Sequence, residues 1–318
     1  MAGIQPPPRG PRGGRRGDRR GVARGQIRLR QAGLAAAVAG LVLVLVVLLD
    51  NAGSHGHAHS PSAGAHARVA LAHQARSGSH AAGGAGSAES SQIRKLVALG
   101  KPIYCAGRRG NEVALTFDDG PGPYTRLMLA KLHKHGVHAT FFIVGRNIGL
   151  VAGAVREERL QGALGDHTFT HPLLTSLTDA QAENEIVRTQ TALERASASP
   201  VFLFRPPYGA HNAQIDAIAR AHGLLQILWT VDSADSLGAN YAQIERNVIS
   251  GLHAGAIILM HENHGQTVRA MLSIFAALQS KHLRAVSVPQ LLTDDPPSVA
   301  QVQAGGGACG VHGALTGG

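Results

Sequence analysis

Two adjacent aspartates, Asp118 and Asp119, are the residues of this 318-residue chain whose chemistry is easiest to argue. They follow an apolar, β-prone run at 112–117 and precede two Gly-Pro pairs, which stop regular structure. Two neighbouring carboxylates are costly unless a cation or a shared proton relieves their repulsion. By itself such a pair is more often a solvated turn or a helix cap, so its interpretation depends on the rest of the chain.

Histidine, arginine and further aspartate residues follow later strand-like runs in the same way. These stretches are His167-Thr168-Phe169-Thr170-His171, Arg205-Pro206-Pro207-Tyr208-Gly209, Asp232-Ser233-Ala234-Asp235 and His261-Glu262-Asn263. In parallel α/β folds the loops after the carboxyl ends of the strands share one face, and sites are built there. The repetition therefore predicts one site assembled from five separate turns.

A metal centre is the chemistry that these residue types favour. His167 and His171 are four residues apart, and Pro172 disfavours helical geometry at His171, so a compact loop is expected. Two imidazoles and one carboxylate leave an open coordination position, which is the arrangement of a catalytic zinc. One aspartate can then bind the metal, while the other stays free as a general base toward a water that the metal makes more acidic.

His261 ends an apolar run and is a candidate for the acid that protonates a leaving amine or alkoxide. The alternative is a buried structural histidine. Arg205 is a candidate to orient Asp118. Asp235 is a candidate to orient His261 and to raise its pKa.

Alternating strand and helix patterns must position these residues. Strands are predicted at 113–117, 140–144, 163–165, 201–204, 225–231, 256–260 and 285–288, and helices at 124–135, 148–161, 179–196, 212–222, 241–253 and 267–281. Strict alternation of this kind implies a parallel sheet with helices outside it. Periodicity alone does not decide between a closed barrel and an open sheet.

The N-terminal region predicts membrane insertion and export. Residues 1–31 hold nine arginines against Asp18, and the eighteen residues of 32–49 carry no charged or polar side chain. Such a segment makes about 27 Å of helix, just enough to cross a hydrocarbon core. The arginines argue that 1–31 stays in the cytoplasm. We expect an uncleaved transmembrane signal-anchor and an extracytoplasmic remainder; the alternative is a cleaved signal peptide and a secreted protein.

Most of the net charge of +10 is carried by this N-terminal region, where it indicates membrane topology. The first fifty residues contribute +7, from nine arginines against Asp18 and Asp50. No helical stripe of lysine and arginine with interleaved aromatic residues occurs in the rest of the chain, so nucleic acid is not expected as a partner.

The predicted catalytic domain, 101–293, has a flank on each side. Residues 50–100 are rich in Gly, Ala, Ser and His and are predicted to be a disordered linker, with a metal-holding histidine tract as the alternative. Residues 294–318 are predicted to be a flexible tail. Cys105 and Cys309 flank the domain, and in an exported protein they are expected to form a disulfide; the alternative is two unpaired thiols.

Five stretches resemble, in order and spacing, the motifs of the polysaccharide deacetylases (carbohydrate esterase family 4). They are Thr116-Phe117-Asp118-Asp119-Gly120-Pro121, His167-Thr168-Phe169-Thr170-His171-Pro172, Arg205-Pro206-Pro207-Tyr208-Gly209, Asp232-Ser233-Ala234-Asp235 and Leu259-Met260-His261. The resemblance covers roughly 101–293. It implies an α/β fold, a distorted seven-stranded (β/α) barrel, and metal-dependent removal of N- or O-acetyl groups from polysaccharides.

The same resemblance implies a role for each matched residue. Asp118 is the expected base and His261 the expected acid. The expected ligands of a divalent metal, zinc by expectation, are Asp119, His167 and His171. The remaining roles fall to Arg205 as tether of Asp118, Asp235 as tether of His261, the backbone N–H of Tyr208 as oxyanion support, and Pro207 and Tyr208 as substrate contacts.

One residue departs from the family pattern. The family often has a tryptophan after the second aspartate of its fourth motif, commonly lining the sugar groove, and this chain has Ser236 there. Trp229 is nearby in sequence but lies inside a predicted strand, so we do not assign it that position.

The sequence thus predicts a membrane-anchored, exported, metal-dependent polysaccharide N-deacetylase. Peptidoglycan is the first expected substrate, because an anchor and a long linker let the domain reach a cell-wall polymer. Chitooligosaccharides come second and acetylated xylan third. An inactive glycan-binding domain is the alternative from a different class. The sequence carries no indication of oligomeric state.

Overall fold

The computed structural model of the protein describes residues 78–310. The predicted segments 1–31 and 32–49, and the predicted linker as far as residue 77, lie outside these residues. Within the described part of the chain, no helix is both long and apolar enough to span a membrane.

Eight parallel strands make the sheet that supports the site. They are β1 (Glu112–Gly120), β2 (Ala139–Ile143), β3 (Gly162–Asp166), β4 (Leu203–Phe204), β5 (Leu225–Gln226), β6 (Val231–Asp232), β7 (Ile257–His261) and β8 (Arg284–Val286). Their order is β5-β4-β3-β2-β1-β7-β6, and β8 pairs with the first residues of β1. Helices cover this half-barrel, in agreement with the (β/α) barrel predicted from the sequence.

Nine α-helices lie in the described region. They are α1 (Gly78–Val97), α2 (Thr125–Lys134), α3 (Ala154–Gln161), α4 (Asp179–Ser197), α5 (Ala213–Ala221), α6 (Tyr241–Gly251), α7 (Gly265–Ser280), α8 (Val288–Asp294) and α9 (Val299–Ala304). All six predicted helices and all seven predicted strand runs correspond to elements in this order, with shifted ends.

The central strand β1 is buried along almost its whole length. Because side chains alternate along a strand, its residues enter two different cores. Val113, Leu115 and Phe117 pack with the helices, whereas Ala114 packs inside the curved sheet with Ile257. A strand buried on both faces has a continuous apolar sequence, which is why the sequence alone predicts this strand.

Two predicted elements have different bounds for identifiable reasons. The single strand predicted at 225–231 is divided into β5 and β6, because the carbonyls of Ile227 and Leu228 accept hydrogen bonds from the side chain of Arg205. The helix predicted at 148–161 begins only at Ala154, after a left-handed Gly153 with φ 77°.

Both flanking predictions are wrong within the described residues. Residues 78–97 form α1 and not a disordered linker, and Ile93 and Leu96 of this helix are buried in the inner core. The predicted flexible tail contains α9, which begins at the Ser298 capping box. The predicted disulfide is confirmed: Cys105 and Cys309 are bonded, with their Cα atoms 5.9 Å apart.

Candidate metal centre and catalytic site

The register of the sheet brings the predicted residues together at the carboxyl ends of the strands. Asp118 on β1 is paired directly with His261 on β7. On the other side, Ile143 of β2 is paired with Asp166 of β3, and His167 is the next residue. The carboxyl ends of β1, β7 and β3 therefore bring the predicted base, the predicted acid and the predicted histidine loop to one edge of the sheet.

Three of the predicted residues form a cluster that can hold a metal. One ligand atom from each of Asp119, His167 and His171 lies within 4.8 Å of the others. The carboxylate Oδ1 of Asp119 is 3.4 Å from Nε2 of His171 and 3.7 Å from Nε2 of His167. A divalent cation such as zinc takes this set of two imidazoles and one carboxylate.

The tautomer of His167 fits a metal ligand. Its Nδ1 lies 2.7 Å from the carbonyl oxygen of Arg205, so Nδ1 carries the proton and donates it there. The unprotonated Nε2 then faces the aspartates. Burial lowers the pKa of His167 to about 3, so the ring is neutral and able to bind a cation.

The loops that carry the predicted ligands contain residues with left-handed backbone conformations. Asp119, Thr168 and His171 have φ angles of 71°, 63° and 64°, which are uncommon for residues other than glycine. Two hydrogen bonds stabilise these loops. One is local, since the N–H of Thr168 donates to Asp166 Oδ1 at 2.7 Å, and the other joins residues distant in sequence, since Asn147 Nδ2 donates to the carbonyl of Asp119 at 2.9 Å. Asp166 and Asn147 had no predicted role. The one sequence signal that could have indicated a role for Asp166 is its position at the end of a predicted strand, directly before His167.

Asp118 is held by a buried arginine. Nη1 of Arg205 donates to Asp118 Oδ1 at 2.7 Å and to Thr116 Oγ1 at 2.8 Å. The guanidinium is fully buried and lies 4.1 Å from the ring centroid of Phe142. Burial raises the pKa of the Asp118 carboxyl, and the charge of Arg205 opposes that rise. Oδ2 is left facing His167, at 3.6 Å from Nε2.

His261, which is paired with Asp118 across the sheet, is held by Asp235. Nδ1 of His261 lies 2.7 Å from Asp235 Oδ1, and its backbone N–H donates to Oδ2 at 2.7 Å. Thr267 Oγ1 also donates to Oδ2, at 2.6 Å. Burial would lower the pKa of His261, but hydrogen bonding and charge from Asp235 outweigh it and raise the pKa to about 9. The imidazole is therefore protonated at neutral pH.

Tyr208 forms the exposed part of the turn after β4. It has a φ of 63°, and its ring lies against His171 with centroids 4.9 Å apart. Its side chain is 67% exposed, whereas Pro207 is buried. Of the two predicted substrate contacts, Tyr208 is therefore the one that is exposed.

The position of the missing tryptophan is open and partly apolar. Ser236 is exposed, and the neighbouring Leu237 is 82% exposed. Trp229 is buried, and a methyl group built on Gly209 would contact its ring at 2.9 Å. Trp229 thus supports the turn after β4 from beneath and does not line a groove.

A cavity of about 420 Å³ lies at the other end of the sheet. Its lining includes Glu89 of α1, Arg159 of α3, and Phe202 and Leu203 at the start of β4. None of the predicted site residues lines it, so cavity size does not locate the chemistry in this fold.

Comparison with known proteins agrees with this arrangement. The family model described as polysaccharide deacetylase matches residues 106–227. A peptidoglycan-N-acetylglucosamine deacetylase of Listeria monocytogenes is 34% identical over 192 residues, which are 60% of this chain and only 41% of that protein's length. A chitooligosaccharide deacetylase of Rhizobium leguminosarum is 32% identical over 205 residues, covering 59% of this chain and 95% of that protein. The solved structure of the peptidoglycan N-acetylglucosamine deacetylase Bc1960 has a TM-score of 0.57 and 31% identity, covering 59% of this chain and 91% of its own.

Proposed function

Because this chain belongs to the polysaccharide deacetylase family, we propose that it is a metal-dependent hydrolase that removes N-acetyl groups from an extracytoplasmic polysaccharide. Peptidoglycan, with its N-acetylglucosamine and N-acetylmuramic residues, is the proposed substrate. One observation carries the proposal. The cluster of Asp119, His167 and His171 lies beside Asp118, the proposed base, which Arg205 holds. His261, the proposed acid, is paired with Asp118 across the sheet and is held by Asp235.

The proposed chemistry assigns one role to each side chain. A divalent cation, zinc in our proposal, would be held by Asp119, His167 and His171 and would supply Lewis-acid polarisation of the acetyl carbonyl and of water. Asp118 accepts a proton from the attacking water at Oδ2, since Arg205 occupies Oδ1. The backbone N–H of Tyr208 supports the developing oxyanion.

Proton delivery to the leaving group is assigned to His261. Asp235 binds its Nδ1, so Nε2 is the nitrogen free to donate. The donated proton converts the sugar nitrogen into an amine as its bond to the acetyl carbon breaks, and acetate is the other product. With a pKa of about 9, His261 is charged and ready to donate at neutral pH.

The relatives favour two alternative substrates, and the proposed chemistry is the same for both. The Rhizobium protein is named for chitooligosaccharides, which share the N-acetylglucosamine unit with peptidoglycan. Acetylated xylan is the third candidate, and an inactive glycan-binding domain is the alternative of another class. Acetate release measured side by side on peptidoglycan, chitin oligomers and acetylxylan tests all four. Release from none of them, by metal-loaded protein, would contradict the proposed hydrolase.

We further propose that residues 32–49 anchor the protein in the cell membrane with 1–31 in the cytoplasm, or that the catalytic domain is secreted if that segment is cleaved. The arginine asymmetry across 32–49 supports this orientation. A reporter fused after Gly318 should be active only outside the cytoplasm. Cytoplasmic activity of an intact fusion would overturn the orientation.

A further inference from the structure

Two glutamates without a role in the proposed chemistry are buried beside the metal centre. Glu158 on α3 and Glu262, directly after β7, are both completely buried. No carboxylate oxygen of either residue has a hydrogen-bond partner among the described residues when both are ionised. The two carboxyl groups nevertheless lie within hydrogen-bonding reach of each other. Carboxylates only accept hydrogen bonds, so this contact becomes a hydrogen bond only when one group carries a proton.

The surroundings of the pair favour a proton over full ionisation. Burial raises the pKa of Glu158, and the charges of Glu262 and Glu157 raise it further. Burial also raises the pKa of Glu262, to about 7. The nearest arginine on α2, Arg126, contacts Glu157 at 3.4 Å. Two full charges in this space would repel each other without solvation.

Glu262 also packs against the turn that carries the metal ligand. A methyl group built on Gly120 would overlap Glu262 Oε1, so this carboxyl group lies directly against the residue after Asp119. The N–H of Glu262 donates to the carbonyl of Asp118 at 3.3 Å. The side chain of Thr125 lies close to Glu262, and its Oγ1 accepts from the N–H of Gly122 at 2.8 Å.

We propose that Glu158 and Glu262 form a proton-sharing carboxyl pair that positions the 119–122 turn, and with it Asp119 in the metal centre. The inference rests on the proposed function only in taking Asp119 as a metal ligand. Neither glutamate contacts substrate or metal. Both are positioning residues that act through Gly120 and Thr125. One shared proton allows the two carboxyl groups to be buried together without the repulsion of two full charges.

Three variants distinguish the effect of the shared proton from the effect of the side chain's volume. Glu158→Gln replaces the shared proton by an amide N–H that donates to Glu262 without titrating. Glu158→Leu keeps a similar volume but cannot donate. Glu157→Gln is the matched control, because Glu157 is the neighbouring residue on α3 and its side chain is 47% exposed.

Zinc affinity, measured by competition with a chelator, tests the positioning role without reference to deacetylation. Glu158→Leu should lose at least about tenfold in zinc affinity, a loss typical of removing a partner behind a metal ligand. Glu158→Gln and Glu157→Gln should stay within about threefold of the wild type. Wild-type zinc affinity in Glu158→Leu would overturn the positioning role, even if acetate release fails for every variant.

The pH dependence of unfolding tests the proton itself. A glutamate whose pKa is raised on folding contributes stability below its unfolded pKa of 4.5 and loses it as pH rises through its folded pKa. The wild type should therefore lose stability relative to Glu158→Gln between about pH 5 and 7, by up to about tenfold in the folding equilibrium constant per pH unit. Glu157→Gln removes only the smallest of the causes that raise the pKa of Glu158, so its profile should stay much closer to the wild type than that of Glu158→Gln. A Glu158→Gln profile that runs parallel to the wild type would overturn the shared proton.

An infrared difference spectrum keeps the proposal testable if Glu158→Leu does not fold. At about pH 6 the wild type should show the C=O stretch of a protonated carboxyl that Glu158→Gln lacks. If that band is absent and the wild type instead binds a second equivalent of zinc or calcium that Glu158→Gln does not, a cation occupies the pair and the proposal is overturned.

Discussion

Two pairs of carboxyl groups meet at the turn around Gly120, and the fold stabilises them in opposite ways. Asp118 and Asp119 face Arg205 and two histidines, at distances of 2.7 to 3.7 Å. Glu158 and Glu262 face each other, and their oxygens have no hydrogen-bond partner among the described residues when both are ionised. The charge of Arg205 relieves the first pair, and in our proposal a bound metal ion relieves it further, whereas a shared proton relieves the second pair.

The two pairs also differ in how far they are exposed to solvent. The side chain of Asp119 is 25% exposed, so the aspartate pair can reach a metal and a substrate. The glutamate pair is sealed from solvent, so it can only hold the turn in place. In our proposal these four acids therefore divide into two that serve the chemistry, as base and metal ligand, and two that position the turn.

The largest effects are expected when the charge of each aspartate is removed in turn, which tests whether the two have different roles. Asp119→Asn should lose much of the metal affinity together with activity. Asp118→Asn should keep near-stoichiometric metal but lose catalysis by a factor on the order of 10² to 10⁴, the usual contribution of a positioned base. Elemental analysis beside acetate release measures both. Loss of metal in Asp118→Asn with retention in Asp119→Asn would reverse the two assignments.

Removing the cation that stabilises the first pair should unfold the protein more easily. Arg205→Met leaves Asp118 as an uncompensated buried charge and should cost about 3–5 kcal/mol of unfolding free energy. The control is Arg109→Met, whose side chain is 78% exposed beside Asp295 and should cost less than about 1 kcal/mol. Denaturant unfolding compares them, and equal costs would mean that Asp118 needs no cation.

The predicted acid, His261, gives a pH test with a smaller expected effect. Asp235 raises the pKa of His261 to about 9, and a general acid works only below its pKa. Asp235→Asn should therefore move the alkaline fall of activity to lower pH, with a loss at neutral pH smaller than the roughly 10²-fold expected for removing the acid.

A matched control exists for this pH shift. Asp216→Asn removes a similar carboxylate from His211, 2.8 Å away and outside the site, and should leave the profile unchanged. An unshifted profile in Asp235→Asn would show that His261 does not set the alkaline limb.

The smallest expected effect tests the contact between the two pairs. Gly120→Ala places a methyl group against Glu262 and should cost about 1–3 kcal/mol by overpacking. Gly149→Ala, where no atom lies within 4 Å of the added methyl, should stay within about 0.5 kcal/mol. Thermal or denaturant unfolding measures the difference, and similar costs would mean that Glu262 does not press on the turn.

Much of the fold could be predicted because its signals are local. Buried parallel strands such as β1 are continuous apolar runs, and helices such as α4 begin at a capping residue that is adjacent in sequence. The flanks were predicted wrongly because α1 is rich in glycine and alanine, and its helix is stabilised by burying Ile93 and Leu96 against residues far along the chain.

The sequence by itself determined which chemistry this protein carries. Asp118, Asp119, His167, His171 and His261 all lie at or just after the ends of apolar runs, and parallel strands bring their carboxyl-terminal loops to one face. Only the tertiary structure decided the surroundings of these residues. It divided the strand at 225–231 around Arg205, brought Asn147 to Asp119, and buried Glu158 against Glu262. The physical reason is that burial and hydrogen bonding join residues that are distant in sequence, whereas periodicity and turn residues describe only neighbours along the chain.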